Sequence, residues 1–158
     1  LLVSSAASDV YKRQELLYLA YRDFTAEPDA ILLEYGFGRA HHRVIYFVGR
    51  NPHINVSELL AILKITKQSL SRVLGQLVRE GFIEQREGTY DRRQRLLDLT
   101  DKGTELERRL SESQRNRFAD AYRDAGAGAV QGFRDVLTNM ISEKDRERVF
   151  GPRQVNPD

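Results

Sequence analysis

The sequence predicts a mainly α-helical fold carrying one small two-stranded β wing. Three observations support this. Apolar residues recur at intervals of three and four through most of the chain, the period of helices with one buried face. Strand-like patterning is confined to residues 82–86 and 95–99, with the polar, glycine-containing segment 87–94 between them as a long hairpin tip. The chain has 158 residues, of which 41% are hydrophobic and 30% charged, enough for one compact unit with a small module embedded in it.

The elements follow in order. Residues 1–14, LLVSSAASDVYKRQ, lack an initiator Met and resemble translated sequencing-adapter read-through. They are set apart as a non-native or disordered leader, and the native chain is read from about Glu15 with its true start missing. Residues 15–24 form a helix ending before Pro28, residues 29–35 a second one stopped by Gly36 and Gly38, and residues 39–49 a third, closed by Asn51-Pro52. Asn55 and Glu58 then make a variant capping box for a short helix carrying Leu59, Leu60, Ile62 and Leu63. Lys64 and Ile65 form a tight connection, and Thr66 caps a helix whose Leu70, Val73, Leu74, Leu77 and Val78 keep the spacing of a single buried face. Gly81 ends it. After the hairpin, a charged and sparsely apolar helix runs from Thr104 to about Ala125 and breaks at Gly126 and Gly128. An amphipathic segment follows with Val130, Phe133, Val136, Leu137, Met140 and Ile141, and residues 151–158 are a loose tail.

Composition excludes several function classes. With no cysteine there is no disulfide framework, thiolate metal site or cysteine nucleophile, which suits a reducing cytoplasm. No apolar run reaches the roughly 18 residues of a membrane span. His41 and His42 are adjacent, about 100° apart on a helix, and His53 stands beside Pro52, so neither a His-x-x-x-His pair nor any other metal site is expected. No Gly-x-Ser-x-Gly turn exists for a serine hydrolase. Neither a catalytic site nor a cofactor is expected.

Charge is localised. The net charge is only +2, but residues 64–95 hold eight basic side chains against four acidic ones, leaving the remainder net acidic. Once the buried face of the 66–80 helix is assigned, Thr66, Lys67, Gln68, Ser69, Ser71 and Arg72 remain in its first two turns. These are short polar or cationic groups able to approach base edges and phosphates when a helix enters the major groove N-terminus first. Gln76 and Arg79 are read as facing outward further along. Any amphipathic helix is polar on its far side, so this alone says little. The hairpin adds weight: Arg86 lies on its first strand, and its tip holds Tyr90, Asp91, Arg92 and Arg93. An arginine there suits a narrow minor groove, with Asp91 placed to pair with Arg93 and hold its guanidinium extended.

With these residues in place, the stretch Asn55 to Gly103 resembles the winged helix-turn-helix core of the MarR family of bacterial regulators. The family's wing signature is Asp, any residue, Arg, five residues, then Leu-Thr. Asp91, Arg93, Leu99 and Thr100 occupy each fixed place, and Asp101-Lys102-Gly103 follows as it usually does. The resemblance is strict over about a third of the chain and architectural elsewhere.

The resemblance implies an organisation of N-terminal helices at 15–50 for dimerisation and a possible ligand pocket, a DNA-binding lobe at 51–103, and further dimerisation helices at 104–150. It also implies a homodimeric, bacterial, cytoplasmic and nucleoid-associated repressor reading a pseudo-palindromic operator of double-stranded DNA. In that family small aromatic or anionic effectors bind between the dimer helices and the lobe; here Tyr18, Tyr21, Tyr35, Phe37, His41, Arg43 and Tyr46 fall in the equivalent helices. A core rich in aromatics explains these residues equally well. The alternative function is an effector-independent architectural or protein-interaction module using the same winged surface.

Overall fold

The structure, a computed structural model, describes residues 2–151. The chain forms two compact units, Leu1–Asn116 and Arg117–Asp158. The first holds α1 (Leu2–Leu33), α2 (Arg39–Arg50), β1 (Ile54–Asn55), α3 (Val56–Leu63), α4 (Lys67–Arg79), β2 (Ile83–Glu87), β3 (Arg95–Leu99) and the start of α5 (Asp101–Ala125). The second holds the end of α5 with α6 (Ala127–Met140) and α7 (Glu143–Phe150). The mainly helical class with a small β wing is as the sequence predicts.

The N-terminal region departs from expectation. Two helices separated at Pro28 were expected, yet α1 is continuous through it. Proline lacks the amide that would bond the carbonyl of Phe24 four residues back. The side-chain amide of Gln114 in α5 donates to that carbonyl instead, at 3.2 Å, so a tertiary contact satisfies what the helix cannot. Residues 2–14, set apart as a leader, also continue the helix, although residues 7–23 are all exposed and add nothing to the core. The loose tail expected at 151–158 lies outside the described residues apart from Gly151.

Two helix ends are built alike. α1 closes with Gly36 at φ +68°, the amide of Gly36 bonding Leu33 and that of Phe37 bonding Leu32. α4 closes with Gly81 at φ +81°, the amide of Gly81 bonding Val78 and that of Phe82 bonding Leu77. Each is a Schellman end, in which the residue after the left-handed glycine turns back onto the helix it has left. Phe37 and Phe82 are thereby buried, and their rings meet edge to face at 5.2 Å.

The sheet has three strands rather than the two expected, in the order β1-β3-β2, all antiparallel. The hairpin pairs Ile83 with Leu99 through Glu87 with Arg95. The other edge of β3 takes Ile54 and Asn55 opposite Leu97 and Leu96. Two residues carry no detectable period, which is why β1 escapes sequence reading. The core of this unit gathers Leu32, Val44, Ile45, Leu59, Leu70, Leu77, Phe82, Ile83, Leu97, Leu106 and Leu110, all 2% exposed or less. α5 begins hard against the wing: a Cβ on Gly103 would collide with the carbonyl of Phe82, so only glycine fits there.

In the second unit, Gly126 at φ +85° separates α5 from α6. Phe118, Tyr122 and Phe133 form a small ring cluster with centroids 5.4 to 6.5 Å apart. No residue of α6 or α7 is buried. α7, capped by Ser142 accepting from the Asp145 amide, is not resolved by apolar pattern because Val149 and Phe150 come only at its end. Among the described residues no helix is long and apolar enough to cross a membrane, and no cluster of three or more His, Asp or Glu side chains could hold a metal ion.

Candidate nucleic-acid interface

α3, a sharp turn and α4 form the helix-turn-helix. The Asn55 side chain accepts from the Glu58 amide at 2.9 Å and the Glu58 carboxylate accepts from the Asn55 amide at 3.0 Å, the reciprocal capping box expected from sequence. Lys64 ends α3 in the left-handed conformation, φ 51°, with its amide on the carbonyl of Leu60. That single backbone reversal redirects the chain into α4. Thr66 then caps α4 by accepting from the Ser69 amide at 3.1 Å, and its own hydroxyl donates to Ser69 Oγ at 2.8 Å.

Burial fixes which face of α4 is presented. Leu70, Val73, Leu74 and Leu77 are in the core, with Val78 half-buried, while Thr66, Lys67, Gln68, Ser69, Ser71 and Arg72 are all exposed on its first two turns. Thr66 thus serves the helix start, leaving Lys67, Gln68, Ser71 and Arg72 as side chains whose polar ends point outward without a structural role. Gln76 departs from the outward reading. Its amide oxygen lies 2.9 Å from the ring of His41 and its NH2 donates to Glu80 at 3.1 Å, so it is tied back to the protein. Arg79 is exposed and folds its guanidinium over Gly75.

The wing tip is ordered by its own hydrogen bonds. The Gly88 amide donates to the Gln94 carbonyl at 2.9 Å, and the Gln94 amide to the Asp91 carbonyl at 3.0 Å. A Cβ on Gly88 would stand 2.6 Å from the Asp91 carbonyl oxygen, so the tip closes only around glycine. The Asp91 carboxylate accepts from the backbone amide of Arg93 at 2.9 Å. This corrects the expected ion pair: Asp91 shapes the turn as an Asx motif and does not hold the guanidinium. Tyr90, Arg92 and Arg93 are exposed, Tyr90 completely so. Among the described residues Lys67, Arg72, Arg92 and Arg93 make no ion pair, whereas Arg39, Arg50, Arg86, Arg95, Arg108 and Arg109 all do.

Arg86 belongs to a different arrangement. Its guanidinium donates to Asp98 at 2.9 Å and lies 2.6 Å from Nδ1 of His53, whose backbone amide also donates to Asp98 at 2.9 Å. Burial alone would raise the Asp98 pKa, but the hydrogen bonds from His53 and Arg86 hold it below the ordinary carboxylate value. The cluster clamps the segment before β1 to both strands of the hairpin. His42, half-buried on α2, is pushed below the usual imidazole range by burial, partly offset by Asp29 and Glu107.

The seven residues considered for an effector do not form one group. Tyr35, Phe37 and His41 come together: Phe37 stacks on His41 at 4.6 Å and on Tyr35 at 5.8 Å. Phe82, which sequence reasoning did not include, meets both Phe37 and Tyr35 edge to face. Arg109, also missed, donates to the Tyr35 hydroxyl at 2.7 Å. The repeated Gly-plus-Phe helix ends were the one available signal for Phe82. Tyr18 is exposed on α1, Tyr21 lies under the Arg39 guanidinium, Arg43 is exposed, and Tyr46 packs on Phe47 and Arg50.

Comparison with known proteins agrees with this architecture. The sequence model of the MarR family matches residues 35–94. The HTH-type transcriptional regulator PetP of Rhodobacter capsulatus is 53% identical over 127 residues, covering 80% of this chain and 76% of that protein. A crystal structure of a MarR family transcription regulator superposes with TM-score 0.74 at 18% identity, covering 89% of this chain and 93% of the other. FabT of Streptococcus pneumoniae, crystallised in complex with DNA, gives TM-score 0.69 at 23% identity over 82% of this chain and 94% of its own. With the capped α3–α4 pair, the glycine-closed wing and a relative of this identity over most of its length, the chain belongs to the MarR family of winged helix-turn-helix transcription regulators.

Proposed function

We propose that this protein is a homodimeric, sequence-specific DNA-binding repressor that reads a pseudo-palindromic operator. The carrying observation is the set of unpaired cations: Lys67 and Arg72 on the outer face of α4, and Arg92 and Arg93 on an ordered wing tip. Arg39, Arg50, Arg95, Arg108 and Arg109 are held by carboxylates, whereas these four stand on the presented face of α4 and the wing tip without an ion pair among the described residues and are available to neutralise phosphates. In this reading Gln68, Ser69 and Ser71 reach base edges in the major groove, and Arg93, with Tyr90 and Arg92 beside it, enters the adjacent minor groove. Arg86, tied to Asp98, supports the wing from below and contributes a phosphate contact at its outer edge.

The dimer would use the exposed apolar residues of α1 and of the second unit, among them Leu16, Leu17, Phe133, Leu137 and Met140. Two symmetric lobes then meet two half-sites. Release by a small aromatic or anionic ligand acting near Tyr35, Phe37 and His41 completes the proposed cycle. The architectural alternative differs in one measurable respect, sequence preference.

The test is selection of bound duplexes from a random pool, followed by anisotropy titration of the recovered site over a range of salt. A palindromic consensus and a steep salt slope are expected. Arg93→Ala should weaken binding about tenfold and lower the salt slope by about one, with an unchanged melting temperature. Recovery of no consensus would overturn the reading.

A further inference from the structure

His41 stands where three elements meet. It is only 7% exposed, its ring stacks flat on Phe37 at 4.6 Å, and both ring nitrogens are engaged. Nδ1 lies 3.1 Å from the backbone amide of Gly38, at the start of α2. Nε2 lies 2.9 Å from the side-chain oxygen of Gln76, midway along α4. The Gln76 NH2 continues to the Glu80 carboxylate at 3.1 Å.

The two ends of this chain of bonds fix its direction. The Gly38 amide can only donate, so Nδ1 must accept and carries no proton. A neutral imidazole then has its hydrogen on Nε2, which donates to the Gln76 oxygen. Glu80 can only accept, which requires the Gln76 NH2 at the other end. All donors and acceptors match with one tautomer and one amide orientation. Among the described residues, this is also the one side-chain hydrogen bond between α2 and α4.

From this geometry we infer that His41 is a positioning residue for the recognition helix: the Gly38–His41–Gln76–Glu80 relay sets the rotation of α4 about its own axis. Apolar packing of Leu70, Val73, Leu74 and Leu77 holds α4 to the core, but such contacts are non-directional and permit small rotations. A half-buried bond with a defined donor and acceptor favours one rotation over the others. The stacked Phe37 ring keeps the imidazole plane aimed at Gln76, and Phe37 is itself seated by the glycine-closed end of α1. The start of α2 is therefore coupled to the face of α4 that carries Gln68, Ser71 and Arg72. The surrounding charges, Glu80 on the turn after α4, Glu34 after α1, and Lys102 and Arg109 on α5, have partners of their own. The inference rests on α4 being the element that reads DNA, as proposed above.

The experiment measures the preference of the full-length protein for the duplex recovered from a random pool over a scrambled duplex of the same composition. His41→Phe keeps the stacking and loses both bonds; Gln76→Met keeps the length and loses the acceptor. Each should cut the preference about tenfold. The double variant should be no worse than the poorer single one, because one relay is being broken twice. Gln76→Glu combined with Glu80→Gln keeps an acceptor for Nε2–H and reverses the 76–80 bond without losing it, so this pair should keep the preference within about twofold of wild type. Additive losses, or the Gln76→Glu/Glu80→Gln pair failing as badly as Gln76→Met, would overturn the inference. Nitrogen-15 spectra of the imidazole supply a readout without DNA: a single Nε2–H tautomer whose exchange with solvent quickens in Gln76→Met. A tautomer mixture, or exchange indifferent to residue 76, sinks the relay. A wild type that enriches no duplex while these spectra show the relay intact sinks the DNA reading instead.

Discussion

α4 of the winged lobe places Leu70, Val73, Leu74 and Leu77 on one stripe, and α6 of the second unit places Phe133, Val136, Leu137 and Met140 on another. The two stripes have the same spacing, one apolar residue at each of i, i+3, i+4 and i+7. Their fates differ. On α4 all four are buried, whereas on α6 exposure runs from 37% at Leu137 to 64% at Met140. Periodicity specifies that a helix has an apolar face, but the chain around it decides whether that face is covered. For α4 the partners are α2 and β2, held close by two glycine-closed helix ends. For α6 the first unit's recipe is missing, and a second copy of the chain is the partner proposed above.

The largest expected effect breaks the covered stripe. Leu74→Ala should cost the lobe about 2–5 kcal/mol, the lost transfer free energy plus the cavity left among Leu70, Val73 and Leu77. Chemical denaturation followed by circular dichroism measures it. A midpoint equal to wild type would remove Leu74 from the core and, with it, the contrast between the two stripes.

Leu137 occupies the place on α6 that Leu74 occupies on α4. Its replacement by Ala should leave the lobe's unfolding unchanged at high protein concentration and raise the dimer dissociation constant about tenfold, which corresponds to about 1.4 kcal/mol. Sedimentation across a dilution series reads this directly. If Leu137→Ala instead destabilised a species that stays monomeric at every concentration, α6 would be covered by its own chain and the comparison would lose its second half.

Legibility in the sequence followed the same division. Capping residues, the Lys64 turn and the wing motif act within a few positions, so Asn55, Glu58, Thr66, Gly81 and the Asp91–Thr100 run could be placed from local chemistry. Failures came where a distant residue decides. Pro28 reads as a helix stop, and only Gln114, 86 positions beyond it, makes the continuous α1 tolerable. β1 exists because β3 has an unfilled edge. Gln76 looks like one more polar residue on an exposed face until His41 is brought to it from 35 positions away. Asp91 was expected to hold the Arg93 side chain, yet the shorter path to the backbone amide two residues on is the one taken. The grouping of Tyr35, Phe37 and His41 without Tyr18, Tyr21, Arg43 or Tyr46 likewise depends on how two helix ends fold toward each other, which no spacing encodes.

The smallest effect tests how firmly the wing belongs to the covered half of the molecule. Asp98, 13% exposed at its side chain, joins β3 to Arg86 of β2 and to His53 before β1. Its pKa is depressed in the folded protein, so the folded state binds fewer protons there than the unfolded chain does. The stabilisation is then complete above the unfolded carboxylate value of about 3.9 and is lost as pH falls through the lower folded value. Asp98→Asn removes the charge while keeping the shape. It should lower stability modestly at neutral pH, and the gap between wild type and variant should narrow below about pH 4, measured by urea unfolding along a pH series. A gap that stayed constant into acid would mean that the carboxylate charge contributes nothing to closing the wing. In that case the loss would come from hydrogen-bond shape, because asparagine keeps only one of the two oxygens that accept from the His53 amide and from Arg86.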